Sequence, residues 1–277
     1  MHHPVEVLGE ETVTRILQVK ELAMIKEVKK IFEHNQIPFY LACGTALGCA
    51  RHEGFIPWDD DIDIYIKGED YTRVKQAIES SSNSFLRFQD YTTERNYPYW
   101  FPKIVASDTI LVEQSFRDLS YKCGVYIDVF PIYYADNNRL KRLFEESIRY
   151  FHYANLRAYY NNNYSKGLKK VFKYLSSIYR PESIQRKLKD AYKKNRDESL
   201  YFIDSGVFHQ NAILRADSFS STVLMKFEDS MMPMPIGYKK YLTDYYGDFM
   251  KLPPEDQRVS RHHIAELCIP DEPMLKE

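Results

Sequence analysis

The sequence predicts an α+β protein: a mixed sheet core flanked by helices, with a mostly helical, basic insertion at residues 137–200. Two observations predict it. Apolar residues recur at helical spacing in some stretches and in strict alternation in others. Residues 137–199 also hold 16 Lys and Arg against 6 Asp and Glu, whereas the remainder holds 22 against 33. We therefore divide the chain into a core at 1–136, the insertion at 137–200, and a C-terminal part at 201–277 that completes the core.

The first elements follow from these two periods. Apolar residues recur at helical spacing over 11–34, and a short strand is predicted at 37–42. A Gly44–Thr45 turn then opens a second helix. After a loop, residues 61–66 alternate acidic and apolar side chains, which is typical of a strand.

Later elements are predicted in the same way, with proline and glycine marking their ends. We expect Pro131 to end the strand that starts at Gly124, because proline cannot donate to a sheet ladder. The further predicted strands are 98–105, 109–114 and 124–130, and the further predicted helices are 71–80, 139–158, 166–179, 181–195 and 238–246.

The composition excludes several classes of protein. With 277 residues, 44% of them apolar, the chain can bury a globular core. It shows no basic start followed by an apolar run and no run of 18 apolar residues, so neither a secretory signal nor a membrane-spanning helix is expected. The four cysteines form no C-x-x-C pair, which argues against a disulfide framework and a structural zinc site. The expected location is cytoplasmic.

Two aspartates on the acidic strand indicate the site. Asp61 and Asp63 leave the same face of a strand, with Cα atoms about 6–7 Å apart, while the isoleucines beside them anchor the other face. Two carboxylates so close repel each other, and a hard cation removes that penalty. Mg²⁺ binds one or two carboxylates together with phosphate oxygens and water. The pair therefore predicts a divalent-metal site for phosphoryl transfer.

Two other interpretations of the acidic stretch compete with a metal site. Asp59-x-Asp61-x-Asp63 imitates the start of an EF-hand calcium loop, but Ile64 replaces the glycine of that loop and Asp70 its final glutamate. The alternation also requires a strand where that loop turns sharply. An acidic surface strand without function is the second alternative, and the apolar side of the strand disfavours it.

A second predicted strand carries a lone acid. Asp128 interrupts the apolar run at 124–131, and a buried carboxylate is costly unless it is paired or bound to metal. It is either a structural acid satisfied by backbone amides, or a third metal ligand or general base. The presence of Asp61 and Asp63 favours the second interpretation.

Five further residues are candidates around these acids. Gly44 and Thr45, at a strand-to-helix junction, would present backbone N–H groups to a phosphate, with the helix dipole assisting. Arg51 and Lys103 are candidate phosphate clamps, with ordinary surface cations as the alternative. Asp59 adds negative charge, either behind the metal ligands or in a solvated loop.

A long motif gives the chain a family resemblance. Residues 44–64, from the Gly-Thr turn through Arg-His-Glu-Gly-Phe-Ile-Pro-Trp to the Asp-rich strand, resemble the LicD family, a branch of the nucleotidyltransferase-fold superfamily. The resemblance continues at Lys103, at 127–131 and at 246–254. It implies a nucleotidyltransferase-like core.

The resemblance also implies an activity: transfer of phosphocholine from CDP-choline onto a bacterial surface glycan, such as a teichoic acid precursor or lipopolysaccharide. It implies that Asp61 and Asp63 bind the metal, Mg²⁺ or Mn²⁺, with Asp128 as the third acid. The expected partners are a CDP-linked donor and a lipid-linked glycan acceptor, and no nucleic acid. Peripheral contact with the inner face of the cell membrane is expected from the basic insertion. Sister transferases are left open as partners.

Several alternatives stay open. Related branches, including fukutin-type proteins, resemble ribitol-phosphate transferases, so the transferred group could be ribitol phosphate or phosphoethanolamine. The chain could also be a catalytically silent protein that binds a glycan or a partner, although it retains all three acids. Tyrosine-rich stretches at 91–100 and 238–246 could line a pocket for a quaternary ammonium or pack in the core. The basic insertion could be a solvated helical face.

Overall fold

A computed structural model of the chain describes residues 2–3, 10–82, 85–117, 119–121, 123–160, 182–183, 186, 190, 201–204, 213–260 and 262–270. Among these residues the helices are α1 (Glu10–His34), α2 (Cys43–His52), α3 (Tyr71–Glu79), α4 (Arg139–Tyr160) and α5 (Tyr238–Tyr246). The strands are β1 (His2–His3), β2 (Phe39–Leu41), β3 (Ile62–Lys67), β4 (Leu86–Gln89), β5 (Lys103–Ala106), β6 (Ile110–Glu113), β7 (Tyr126–Tyr134), β8 (Tyr201–Asp204), β9 (Ile213–Arg215), β10 (Thr222–Phe227), β11 (Ser230–Pro235) and β12 (Ile264–Cys268).

The central sheet is mixed, as the sequence predicts. Its strand order is β2-β3-β7-β5-β4, and β8 joins the far half of β7 and is itself followed by β9. The pair β3 and β7 is parallel, whereas the neighbouring pairs of this sheet are antiparallel. Two smaller sheets lie beside it, one of order β1-β12-β6 and one formed by β10 and β11. The predicted α+β class is confirmed.

The expectation that Pro131 ends a strand is wrong. β7 runs through Pro131 to Tyr134. Residues 126–128 of β7 pair with β5 and residues 132–134 pair with β8. Pro131 lies between these two stretches, so neither of those ladders needs its missing N–H.

The core lies between α1 and the sheet. Leu17, Met24, Val28 and Phe32 of α1 are fully buried at helical spacing, which confirms the predicted apolar face. Each such side chain contributes about 1.5–3 kcal/mol when it is fully buried. β3 is buried on both faces, since residues 62–66 are all buried. The acidic strand therefore lies inside the molecule and is covered on the face that carries Asp63.

The basic insertion begins with α4, which confirms the helix predicted at 139–158 and extends to Tyr160. The helices predicted at 166–179 and 181–195 lie outside the described residues, apart from isolated positions. The three-part division of the chain stays a prediction. Among the described residues, no helix combines the length and the apolar character that a bilayer crossing requires.

Candidate active site

Three aspartates meet where β3 and β7 begin. Asp63 and Asp128 are direct partners in the parallel ladder, and Asp61 immediately precedes β3. Each of the three offers a carboxylate oxygen, and these oxygens all lie within 4.8 Å of one another. The register of the parallel pair thus brings together acids that are far apart in sequence. Their role as metal ligands stays a prediction.

Burial makes this cluster electrostatically costly. Asp63 and Asp128 are each 7% exposed. Burial raises the pKa of Asp61, although the nearby His262 opposes the rise. Burial also raises the pKa of Asp128 to about 6, against the lowering effect of Lys103 and with a further rise from Asp61. Three carboxylates are hard oxygen donors, so the residues present fit Mg²⁺ or Mn²⁺, whose charge would offset this cost.

The geometry excludes both alternative interpretations of the acidic stretch. β3 starts at Ile62 and stays extended to Lys67, where an EF-hand loop would have to turn. Residues 62–66 are buried, so the strand is not a surface strand.

Lys103 is the buried cation of the cluster. It lies on β5 directly opposite Asp128, and its Nζ is 2.5 Å from Asp128 Oδ1. The ammonium group lies 3.3 Å from the ring centre of Tyr126 and 4.1 Å from that of Tyr99. Because Lys103 is only 1% exposed, the surface-cation alternative is wrong. It holds one oxygen of Asp128 in place, and its role as a phosphate clamp stays a prediction.

Gly44 and Thr45 form the first turn of α2, next to β3. The hydroxyl of buried Thr45 accepts a hydrogen bond from the backbone N–H of Asp63, with 2.8 Å between Oγ1 and N. A Cβ at position 44 would lie 2.5 Å from Oδ2 of Asp59, so a larger residue there would require this carboxylate to move. These contacts place the start of α2 beside the acids. Phosphate binding by this turn stays a prediction.

The residue before this turn has a strained backbone that the sequence did not indicate. Cys43 has a φ of 44°, in the left-handed region that non-glycine residues rarely adopt. Its N–H donates to the hydroxyl of Tyr241 on α5, with 2.9 Å between the heavy atoms. Strain of this kind is concentrated at functional sites.

The acidic loop is also tied to α1. Nε2 of the buried Gln18 donates to the carbonyl oxygen of Asp59 at 2.8 Å and to that of Ile56 at 3.3 Å. Asp59 is partly exposed and lies over Gly44. Gln18 thus fixes the loop that precedes the acids.

Arg51 contacts the C-terminal motif. Its Nη1 donates to the carbonyl oxygens of Phe249 at 3.0 Å and Lys251 at 3.3 Å. It therefore links α2 to a segment that is distant in sequence. Its proposed contact with phosphate stays a prediction.

A second group of polar residues, which the sequence did not indicate, surrounds Asp60. Ser260 Oγ donates to Oδ2 of Asp60 at 2.8 Å, and His262 Nδ1 lies 3.0 Å from the other oxygen, Oδ1. The Nε2 atom of His262 is 4.0 Å from Oδ2 of Asp61. Burial lowers the pKa of His262, but Asp60 and Asp61 outweigh it and raise that pKa to about 10. No motif marks Ser260 or His262, and only the fold could have identified them.

A cavity of about 130 Å³ adjoins Asp60. It lies between the start of α1 and the chain that leads into β12, so it is a candidate place for part of a substrate. Its lining residues are Val13, Thr14, Asp60, Ser260, His262, His263 and Ile264.

Glu21 of α1 is a further buried acid that the sequence did not single out. Its Oε2 has no hydrogen-bond partner among the described residues. Burial, and then the charges of Asp61 and Asp60, raise its pKa well above the usual range. Burial among these acids therefore favours the protonated, neutral form of Glu21.

Two residues of the tyrosine-rich stretches lie in the core. Tyr97 is buried and donates to the carbonyl of Phe101, and Tyr241 is buried against Tyr65. Core packing therefore explains these two tyrosines. Tyr246 is partly exposed at the end of α5.

Comparison with known proteins gives a family match over the region that holds the three aspartates. Residues 36–161 match the family described as LicD/FKTN/FKRP, nucleotidyltransferase domain. The chain is also 29% identical to the lipopolysaccharide cholinephosphotransferase LicD of Haemophilus influenzae over 252 residues, which are 86% of this chain and 91% of that protein.

Two further relatives are rickettsial proteins described as uncharacterized. One, from Rickettsia prowazekii, is 26% identical over 117 residues, or 42% of each chain. The other, from Rickettsia typhi, is 37% identical over 67 residues, or 23% of this chain and 22% of that protein. These two matches are partial.

Proposed function

We propose that this chain, whose residues 36–161 belong to the LicD family, is a phosphotransferase that moves phosphocholine from CDP-choline to a hydroxyl of a bacterial surface glycan precursor. The observation that carries the proposal is the meeting of Asp61, Asp63 and Asp128 within 4.8 Å. It occurs in a chain that is similar over 91% of the length of a lipopolysaccharide cholinephosphotransferase. The name of that relative favours a lipopolysaccharide glycan as acceptor, with a teichoic acid precursor as the other candidate.

The three aspartates would hold the divalent cation, Mg²⁺ or Mn²⁺. When bound, such a cation neutralises the negative charge of a pyrophosphate and of the transition state for phosphoryl transfer. The support is the donor set: hard carboxylate oxygens, close together, in a buried place where Lys103 offsets only part of their charge.

The residues of the chain would then position the two substrates. The backbone N–H groups at Gly44 and Thr45, in the first turn of α2, would bind the donor phosphates, because a helix N-terminus attracts anions. The Thr45 hydroxyl is already engaged with Asp63, so it would fix this turn and not contact the donor itself. Lys103 would orient Asp128 through their 2.5 Å contact.

The reaction is an in-line displacement at the β-phosphorus of CDP-choline. The acceptor oxygen forms the new bond to phosphorus, the bond to the CMP oxygen breaks, and CMP leaves. The proton of the acceptor hydroxyl passes to a carboxylate, for which Asp128 is our candidate.

The test is turnover by isosteric variants. Release of CMP from CDP-choline is measured with Mg²⁺ and a lipopolysaccharide preparation as acceptor, for wild type, Asp61→Asn, Asp63→Asn and the exposed control Asp244→Asn. We expect either cluster variant to lose about 10³-fold or more in rate, because charge stabilisation in the transition state is lost. Asp244→Asn should keep the wild-type rate.

Two results would contradict the proposal. Wild-type CMP release by Asp61→Asn or Asp63→Asn would remove these residues from the site. Faster release from CDP-ribitol or CDP-ethanolamine than from CDP-choline would exclude phosphocholine as the transferred group. Independently of turnover, Mg²⁺ or Mn²⁺ alone should raise the Tm of wild type and not that of Asp61→Asn, since a ligand stabilises the state that binds it.

A further inference from the structure

The first turns of α4 expose a continuous apolar stripe. Its side chains are large and are far from buried: Leu140 is 76% exposed, Leu143 53%, Phe144 67%, Ile148 39% and Phe151 42%. Steps of three and four residues separate most of them, so they lie on one side of the helix. An exposed apolar patch of this kind marks an interaction surface.

The same side of α4 is buried further along. Ala154 and Ala158 continue the stripe and are inside the protein. On the opposite side of the helix, Leu156 and Tyr160 pack against Trp100, Phe116 and Leu119. The C-terminal half of α4 is thus anchored on the core, whereas the N-terminal half projects its apolar side into solvent.

Two cations border the stripe. Arg139 and Lys141 are exposed and flank Leu140 in sequence, so each lies about 100° around the helix from it, one on each side. Lys141 Nζ is 3.5 Å from Asp136, but this lysine is well exposed, so water screens the pair. The two acids of the helix, Glu145 and Glu146, lie about 140° and about 120° from Leu140, beside the cations but further from the stripe, and Glu146 pairs with Arg149. Long basic side chains beside an apolar stripe are placed to reach lipid phosphates while their stems cover apolar surface.

We propose that α4 docks on the surface of an anionic lipid bilayer. The stripe would enter the boundary between headgroups and acyl chains, and Arg139 and Lys141 would contact the lipid phosphates. This inference goes beyond the proposed function and does not depend on which group the enzyme transfers. Occupation of the stripe by a second copy of the chain is one outcome of the test.

Vesicle co-sedimentation of the full chain tests the proposal. The probes are vesicles of phosphatidylcholine alone and of phosphatidylcholine mixed with phosphatidylglycerol, each at low and high salt. We expect wild type to bind the mixed vesicles, to bind neutral vesicles much less, and to release at high salt. The double variant Leu140→Asp/Phe144→Asp should bind the mixed vesicles about tenfold or more weakly, because it places charge in the apolar stripe.

The matched control is Leu224→Asp/Met231→Asp, which makes the same change in charge at exposed apolar residues of the β10–β11 sheet, 55% and 47% exposed. It should bind as wild type does, and both double variants should keep the wild-type Tm. Three results would each overturn the proposal: no binding of wild type, equal binding to neutral vesicles, or undiminished binding by the α4 variant. A dimer that the α4 variant abolishes, with no vesicle binding, would assign the stripe to self-association.

Discussion

Asp60 and Asp61 are neighbours in the chain, but the fold places their carboxylates in different electrostatic environments. Asp60 accepts a hydrogen bond from Ser260 and contacts the imidazole of His262, so both of its oxygens are engaged. Asp61 turns instead toward Asp63 and Asp128. One carboxylate is satisfied by protein groups, and the next belongs to a cluster with an excess of negative charge.

The difference supports our proposals that Asp60 is a structural acid and that the three clustered aspartates bind a cation. A buried carboxylate with charged and polar partners is stable without any ligand. Three close carboxylates, two of them buried and one of them paired with Lys103, are costly until a cation joins them. His262 contacts both acids: its Nδ1 is 3.0 Å from Oδ1 of Asp60, and its Nε2 is 4.0 Å from Oδ2 of Asp61.

The largest expected effect on stability comes from removing the lysine of the cluster. Lys103→Met keeps the length of the side chain but leaves Asp128 buried without its partner. We expect a loss of about 3–5 kcal/mol in the free energy of unfolding, the usual result of breaking a buried pair. Urea unfolding at pH 7 in a chelating buffer measures it.

Two variants sharpen this test. Lys240→Met removes an exposed lysine that pairs with Asp244 on the surface of α5, and should change stability by about 0.5 kcal/mol or less. Lys103→Met/Asp128→Asn removes both partners and should recover much of the loss. If Lys103→Met were as mild as Lys240→Met, Lys103 would not compensate Asp128.

A smaller effect separates the two neighbouring acids directly. Asp60→Asn should lose about 1.5–3 kcal/mol, because hydrogen bonds to a charged group are removed and His262 loses its partner. Asp61→Asn should lose less than this, or gain stability, in a chelating buffer, because it removes one of several repelling charges. The urea midpoints of the two variants give the comparison. Equal losses would mean that Asp61 is as well compensated as Asp60.

Much of the fold could be predicted from local pattern. The periods of the apolar residues predicted α1, α3 and α5 to within a residue or so, because each of these helices has one buried side. The strand end predicted at Pro131 was wrong because the tolerance of a strand for proline depends on which strands pair with it at that position. A single sequence does not give those neighbours. The partners of β6 and β7 in the sheets were out of reach for the same reason.

The residues of the candidate site also differ in how far the sequence could predict them. Asp63 and Asp128 could be predicted as candidates because an acid between apolar strand residues is anomalous, and Asp61 because it continues the alternation of Asp63. Lys103 could be predicted as a candidate residue, but its buried position could not, since that position follows from the pairing of β5 with β7. The role of Asp60 could not be predicted, because its partners Ser260 and His262 follow it by about two hundred residues and belong to no motif.

The smallest predicted effect is a pH dependence that tests the compensation of Asp60. The pKa of His262 is raised from 6.5 to about 10, so the folded protein holds this proton more tightly than the unfolded chain. The stabilisation is complete below pH 6.5 and is lost as the pH rises through about 10. Over this window the Tm of wild type should fall by about 2–4 °C more than that of His262→Gln, which corresponds to about 1 kcal/mol for a partly exposed group. His263→Gln, one residue away and exposed, is the matched control and should follow wild type. If His262→Gln also followed wild type, Asp60 would have no imidazolium partner, and its contrast with Asp61 would rest on Ser260 alone.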